Sequence, residues 1–292
     1  MYISVGHQAD ERCEELNFML GQEAFKQDNG DSQQRLVQQG GTTLSSGFQQ
    51  KLQNSESNHI SSVIEVRPDL RREQRKGVPE VIFGEAKAPG QIIAMTRNLL
   101  AETGRAIISR VQPEAVEALR ESFQAYTVRF REGAHAVVIY KPDYVRRNTG
   151  GLVGVISAGT SDIPVAEEAA LIAEEMGCDV TCIYDVGVAG LHRLLEPLRG
   201  LLAREVDAII VAAGMDGALP SVVAGLVPVP VIGLPTSVGY GLGGKGVAAL
   251  LSMLQTCAPG LSVVNIDNGV GAGITAAMIA NRVARARKHQ SP

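Results

Sequence analysis

The chain has 292 residues, a net charge of −4, 45% hydrophobic and 20% charged residues, the make-up of a soluble globular protein of roughly two domains. That charge balance excludes a general nucleic-acid binder, which needs a basic face, and no apolar run approaches the roughly 20 residues that span a bilayer. The 32 glycines, the 4% aromatic content and the absence of tryptophan favour an α/β design with many tight turns.

The amino terminus, MYISVGHQADERCEEL, lacks a charged-then-apolar signal pattern, which predicts a cytoplasmic protein. Cys13, Cys178, Cys182 and Cys257 are then thiols, too few and too scattered for a disulfide framework. Residues 1–59 are the weakest part. Glu11–Phe25 carries Leu16, Leu20 and Ala24 at helical spacing, but from Gln27 to Asn58 the composition is Gln, Ser, Gly and Asn. Such a stretch buries too little apolar area to offset its ordering entropy, so a mobile or partly helical extension is expected.

Residues 60–145 predict a small α/β domain with an Arg-rich motif. Arg67, Arg71, Arg72, Arg75, Lys76 and Lys87 crowd around Asp69, Glu73, Glu80 and Glu85. Guanidinium groups at this density suit forked recognition of phosphate or carboxylate, and Arg72 and Arg75 are the candidate ligands. A solvated face of ion pairs would use the same residues. GVPEVIFG reads as a strand, Gln91–Glu102 as a helix, AIISRV as a strand, Pro113–Phe123 as a helix, and TVRF and AVVIY as strands. KPDYVRRNTGG is the linker.

Residues 150–292 alternate regularly. Strands are expected in GVISAG, DVTCIYDV, DAIIVAAG, PVPVIGLP and LSVVNI, with helices over Ile163–Met176, Ala189–Ala203, Ala218–Leu226, Gly244–Thr256 and Ile274–Arg287. Five apolar strands separated by helices predict a three-layer domain, a buried parallel sheet with helices on both faces. Right-handed crossovers put every strand-to-helix turn on one rim, where ligands of open α/β sheets bind.

That rim reads SAGTSD, DVGVAG, AGMDG, PTSVGYG and NIDNGVG. In the first, Ser157, Gly159, Thr160, Ser161 and Asp162 lead into a helix whose amino terminus favours an anion; the same side chains would also cap it. Gly214, Met215, Thr236, Ser237, Gly239 and Tyr240 come from the middle loops, and Lys245 follows. Cys257 ends an apolar helix ahead of the last strand, and Asp267 and Asn268 follow that strand. The expectation is that thiol, carboxylate and carboxamide lie close together. No GxGxxG with a following acidic residue, no Walker A and no HExxH occurs. His192 stands alone among these loops, so a His/Cys zinc site is not expected. Cys178 and Cys182 read as packed thiols.

Taken together, SAGTSDIPVAEEAA, DVGVAGLHR, AGMDGALPSVVAGL, LPTSVGYG and LLSMLQTCAPGLSVVNIDNGVGAG resemble the LarB family, the pyridinium-3,5-biscarboxylic acid mononucleotide synthases of nickel-pincer cofactor synthesis. RREQRKGVPEVIFGEAKAPGQI resembles that family's amino-terminal motif. The resemblance covers about Val63 to Ala284 and implies a carboxyl domain similar to the aminoimidazole ribonucleotide carboxylases. Those enzymes carry a histidine before Leu-Pro in the third loop, where this chain has Ala218, which speaks against their acid–base chemistry.

What the resemblance implies about activity is carboxylation of nicotinic acid adenine dinucleotide at pyridinium C5, with carbon dioxide or bicarbonate as co-substrate, and hydrolysis of the phosphoanhydride to release AMP. It implies Cys257 as the nucleophile, with Thr256 in place of the family's Ser, and Asp216 as the base where the family has Glu. Asp185, His192 and Arg193 match a family motif, with Arg193 facing phosphate or carboxylate and Asp185 or His192 handling protons. It also implies a homo-oligomer, with no membrane or nucleic-acid partner and no permanently bound cofactor. Mg2+ could neutralise the pyrophosphate, although only Asp185, Asp216 and Asp267 offer carboxylates. Two other functions remain open on the same scaffold: a non-catalytic nucleotide-binding protein and a ribonucleotide mutase.

Overall fold

The computed structural model describes residues 66–290. The extension predicted over residues 1–59 lies outside the described residues. The described residues all lie in one compact unit that holds two sheets.

The first sheet is four-stranded, in the order β1-β2-β4-β3, with β1 Val81–Phe83, β2 Arg105–Ser109, β3 Thr127–Arg131 and β4 Ala136–Tyr140. β1 runs parallel to β2, while β2–β4 and β3–β4 are antiparallel. β2 and β4 are central and buried along their whole length, which is why they read as continuous apolar runs. The helices α1 (Arg72–Lys76), α2 (Pro89–Thr103) and α3 (Pro113–Ser122) belong to this half. Ile92, Leu99, Leu100, Leu119 and Phe123 pack from α2, α3 and its end against Ile82, Ile108, Val137 and Ile139.

The second sheet is five-stranded and wholly parallel, in the order β6-β5-β7-β8-β9. Its strands are β5 Leu152–Ser157, β6 Asp179–Ile183, β7 Ala208–Ala213, β8 Val231–Pro235 and β9 Leu261–Val263. The helices are α4 Ile163–Glu175, α5 His192–Ala203, α6 Leu219–Ala224, α7 Val247–Leu254 and α8 Gly269–Gln290. The chain winds outwards from β5 in both directions, so the strand order reverses between β5 and β7. A crevice opens at the carboxyl ends of the strands at such a switch point.

The last strand differs from expectation. LSVVNI gives only three paired residues, none of them buried, because β9 is an edge strand with β8 as its neighbour. α8 begins five residues before the predicted Ile274, since Asn268 Oδ1 accepts the Gly271 N–H at 2.8 Å and caps the added turn.

α4 lies between the sheets. Ala166, Ala169, Ala170 and Ala173 let α8 approach closely; a Cβ on Gly273 would stand 2.4 Å from the Ala169 carbonyl oxygen. Ala134, Ala136 and Val138 of the first sheet share the same apolar cluster. The acidic residues of α4 meet the basic edge of the first sheet. Arg105 pairs with Glu175 at 3.0 Å, both side chains being buried, and Tyr140 donates to Glu175 at 2.6 Å. Arg131 bonds Glu167 and pairs with Glu174.

Candidate active site

The rim cleft begins where β5 ends. Ser157 is buried, and its hydroxyl accepts the Asp185 N–H at 3.2 Å. A 3-10 turn, Thr160–Asp162, then feeds α4. Asp162 points inwards: one carboxylate oxygen accepts the Gly159 N–H at 2.8 Å and the other the Thr236 hydroxyl at 2.6 Å. Burial pushes its carboxyl above the ordinary range, against the pull of these bonds and of the Gly214 N–H. Thr160 and Ser161 are exposed at the helix amino terminus, where free N–H groups favour an anion.

Loops from β7, β8 and β9 close round this turn. A Cβ on Gly214 would stand 2.2 Å from the Val238 carbonyl oxygen and 2.7 Å from Thr236 Oγ1, so only glycine lets the two loops meet. Asp267 accepts the Ser237 N–H at 2.8 Å. Asp185, Met215 and Asp267 all have positive φ, at 58°, 48° and 55°. Strained backbone of this kind persists where the surroundings over-determine it, typically at binding sites.

Two hollows result. One, of about 470 Å3, is lined by Ser161, Ser237, Asp267 and Glu168 together with Glu85, Arg110 and His135 of the first-sheet half. The other, of about 270 Å3, is lined by Met215, Gly239, Tyr240 and Lys245. Ser237 and Val238 line both, so the hollows adjoin.

Arg110 was not foreseen. It follows β2 with φ 52°, its guanidinium bonds the Asp267 carbonyl, and it lies 3.2 Å from Glu85 and 3.7 Å from Glu168. The Phe83 ring lies beneath it, 4.9 Å away. The available signal was a lone arginine closing an apolar strand just before Gln112-Pro113, and the denser cluster upstream masked it. Glu168 was also missed. It is buried, bonded to the Ser109 hydroxyl, and burial raises its carboxyl above the ordinary range while Ser109 and Arg110 oppose.

The other candidates are placed differently. Arg72 pairs with Glu80 at 2.9 Å and Arg75 with Asp69 at 2.6 Å, and neither lines the two hollows. Asn268 is engaged in capping α8. Asp185 holds Arg193 through its carboxylate at 3.0 Å and its carbonyl at 2.6 Å, beyond the edge strand β6. His192 opens α5 and is exposed. Asp216 is exposed on the Gly214 loop, accepting the Ala218 N–H at 3.3 Å. Cys178 and Cys182 are packed against the core, and burial pushes the Cys178 thiol up to about 11. Among the described residues, no three His, Cys, Asp or Glu are grouped to hold a metal ion, and no helix is long and apolar enough to cross a membrane.

Cys257 corrects the expectation of a tight thiol–carboxylate–carboxamide group. It is exposed in the loop entering β9, where the Gly260 carbonyl accepts the Val231 N–H at the amino end of β8. Asp267 N–H instead donates to the Pro235 carbonyl at the carboxyl end of β8. Four residues of strand separate these levels by about 13 Å. A parallel strand necessarily parts the loop that enters it from the loop that leaves it.

Residues 61–141 match the LarB/PurE-like N-terminal domain, and residues 152–290 match AIR carboxylase. The chain belongs to the LarB family. An uncharacterised protein of Methanocaldococcus jannaschii is 44% identical over 73% of this chain and 82% of its own length. The N5-carboxyaminoimidazole ribonucleotide mutase of Thermotoga maritima is 35% identical over 44% of this chain and 73% of its own, and that of Mycobacterium tuberculosis is 37% identical over 47% and 76%. This LarB protein therefore has the carboxylase/mutase-like fold, with the rim loops of that fold facing a cleft that the amino-terminal half helps to build.

Proposed function

We propose that this LarB protein carboxylates C5 of the pyridinium ring of nicotinic acid adenine dinucleotide and hydrolyses its phosphoanhydride. The products are pyridinium-3,5-biscarboxylic acid mononucleotide and AMP, for nickel-pincer cofactor synthesis. The observation that carries this reading is the pair of adjoining hollows. Arg110, Ser161 and the α4 amino terminus suit an anionic group in the larger hollow, and the smaller hollow, which joins it at Ser237 and Val238, suits the other half of a dinucleotide.

A cationic ring is too electron-poor at C5 to attack carbon dioxide. The family pattern assigns the nucleophile to Cys257, which reaches these hollows by movement of its loop or from another copy in the homo-oligomer; its thiolate adds beside C5, forming a C–S bond and an enamine-like dihydropyridine. C5 then attacks carbon dioxide, a carboxylate takes the C5 proton, and the C–S pair leaves with sulfur to restore aromaticity. Asp216 is the base that the family pattern favours. Water cleaves the P–O–P link. The ribonucleotide mutase reading is disfavoured because Ala218 precedes Leu219-Pro220 at the start of α6, placing no imidazole there.

The test is incubation of purified protein with the dinucleotide and bicarbonate, followed by mass spectrometry. The biscarboxylated mononucleotide and AMP are expected from the wild type, and neither carboxylated product nor sulfur adduct from Cys257→Ala. Product that survives that substitution sinks the thiol mechanism. Dinucleotide binding without product or AMP would instead identify a non-catalytic binding protein.

A further inference from the structure

The larger hollow carries both signs of charge. Arg110 enters it just after β2, and Glu85, Glu168 and Asp267 stand round it. The guanidinium gives one N–H to Glu85 at 3.2 Å and another to the Asp267 carbonyl oxygen. A guanidinium has five such groups, so others remain for a ligand. Glu168 does not take them. It lies 3.7 Å away, beyond hydrogen-bond reach, and burial favours its neutral form. Asp267 is the opposite pole. One of its carboxylate oxygens accepts the Ser237 N–H at 2.8 Å, and the other has no partner among the described residues.

We infer that this hollow holds a pyridinium carboxylate as a zwitterion, with Arg110 taking the ring's carboxylate and Asp267 facing its positive charge, so that the acid is selected over the carboxamide. Charge decides between this group and a phosphate. A phosphate dianion on Arg110 would also lie beside the Glu85 and Asp267 carboxylates, and their repulsion offsets what Arg110 contributes. A ring with one charge of each sign meets both poles favourably.

The shape of the groups gives the selection. A guanidinium fork matches the two oxygens of a carboxylate. A carboxamide offers one oxygen and turns an NH2 group, itself a donor, towards the other arm of the fork. The amide therefore loses one bond and the charge. This assignment rests on the pyridinium substrate proposed above, and it adds the residues that choose its acid form.

Two mononucleotides test Arg110 in the full chain. Nicotinic acid mononucleotide and nicotinamide mononucleotide share phosphate, ribose and a cationic ring, and differ only at the group that Arg110 would hold. By titration calorimetry, the wild type should bind the acid about ten- to a hundredfold more tightly, the span of one hydrogen bond to a charged group. Arg110→Gln should bring the two affinities together by weakening the acid alone. The quantity read is a ratio, so partial unfolding of the variant lowers the competent fraction and leaves the ratio intact. Equal binding by the wild type overturns the assignment. Equal loss of both probes in Arg110→Gln overturns it too, by marking Arg110 as a phosphate ligand, and so does binding of neither probe.

Reduced nicotinamide mononucleotide tests Asp267, because its ring is neutral. Asp267→Asn keeps an oxygen for the Ser237 N–H and tolerates the positive φ of 55°. It should weaken the oxidised amide severalfold and leave the reduced one unchanged; equal changes overturn the role of Asp267. None of these probes contains a phosphoanhydride, so the result stands apart from turnover. A wild type that tells acid from amide yet forms no product overturns the proposed reaction and leaves this assignment in place. Turnover without that discrimination does the reverse.

Discussion

Thr236 donates a 2.6 Å hydrogen bond to Asp162, tying the end of β8 to the turn that starts α4. Both residues are buried, so the bond fixes the outline of the rim rather than contacting a ligand. Thr236→Val keeps the shape of the side chain and removes the donor. It is expected to lower the unfolding free energy by about 1–3 kcal/mol, the cost of leaving a buried acceptor short of a partner. Urea denaturation measures this, and an unchanged midpoint would show that the Gly159 and Gly214 N–H groups satisfy Asp162.

Arg110 and its cleft give a binding prediction. Arg110→Met is expected to weaken dinucleotide binding about ten- to a hundredfold, the span of one hydrogen bond to a charged group, as read by titration calorimetry. Arg72→Met, outside both hollows, should leave affinity unchanged. Equal losses from the two would return the anion site to the upstream cluster.

Glu168 gives a pH prediction. Burial raises its folded-state carboxyl above the ordinary value of 4.5. The protonated form is therefore favoured in the folded protein. Its contribution to stability is fully present below the unfolded value and is lost as pH rises through the raised folded value. In Glu168→Gln, the fall in unfolding free energy with rising pH should flatten in the window above 4.5. Parallel wild-type and variant profiles from denaturant titrations would show that Arg110 fully offsets the burial.

The Arg105–Glu175 pair joins the first sheet to α4, with side chains 3% and 1% exposed. Arg105→Met strands a buried carboxylate and is expected to cost about 3–5 kcal/mol. Adding Glu175→Gln should restore part of that loss. A single variant as stable as wild type, by thermal or urea unfolding, would mean that Tyr140 alone holds Glu175.

Much of the fold was legible in the chain. The parallel sheet followed from five apolar runs separated by helical periods, and α4, β5 and β7 fall within a residue or two of their predicted bounds, because burial on both faces imposes a continuous apolar pattern. β9 was over-read, since VVN looks like a buried strand but pairs along one edge only. Ser161, Ser237 and Asp267 were legible as rim residues because strand-to-helix turns in such a sheet share one side. Arg110 and Glu168 were not, because each acts across the joint between two sheets, and no local period records a contact 58 residues apart.

Cys257 marks the limit most clearly. Sequence alone determined that a thiol precedes the last strand and a carboxylate follows it, ten residues apart. The tertiary structure decided that those residues lie on opposite rims, because the strand between them is straight and its two ends cannot meet.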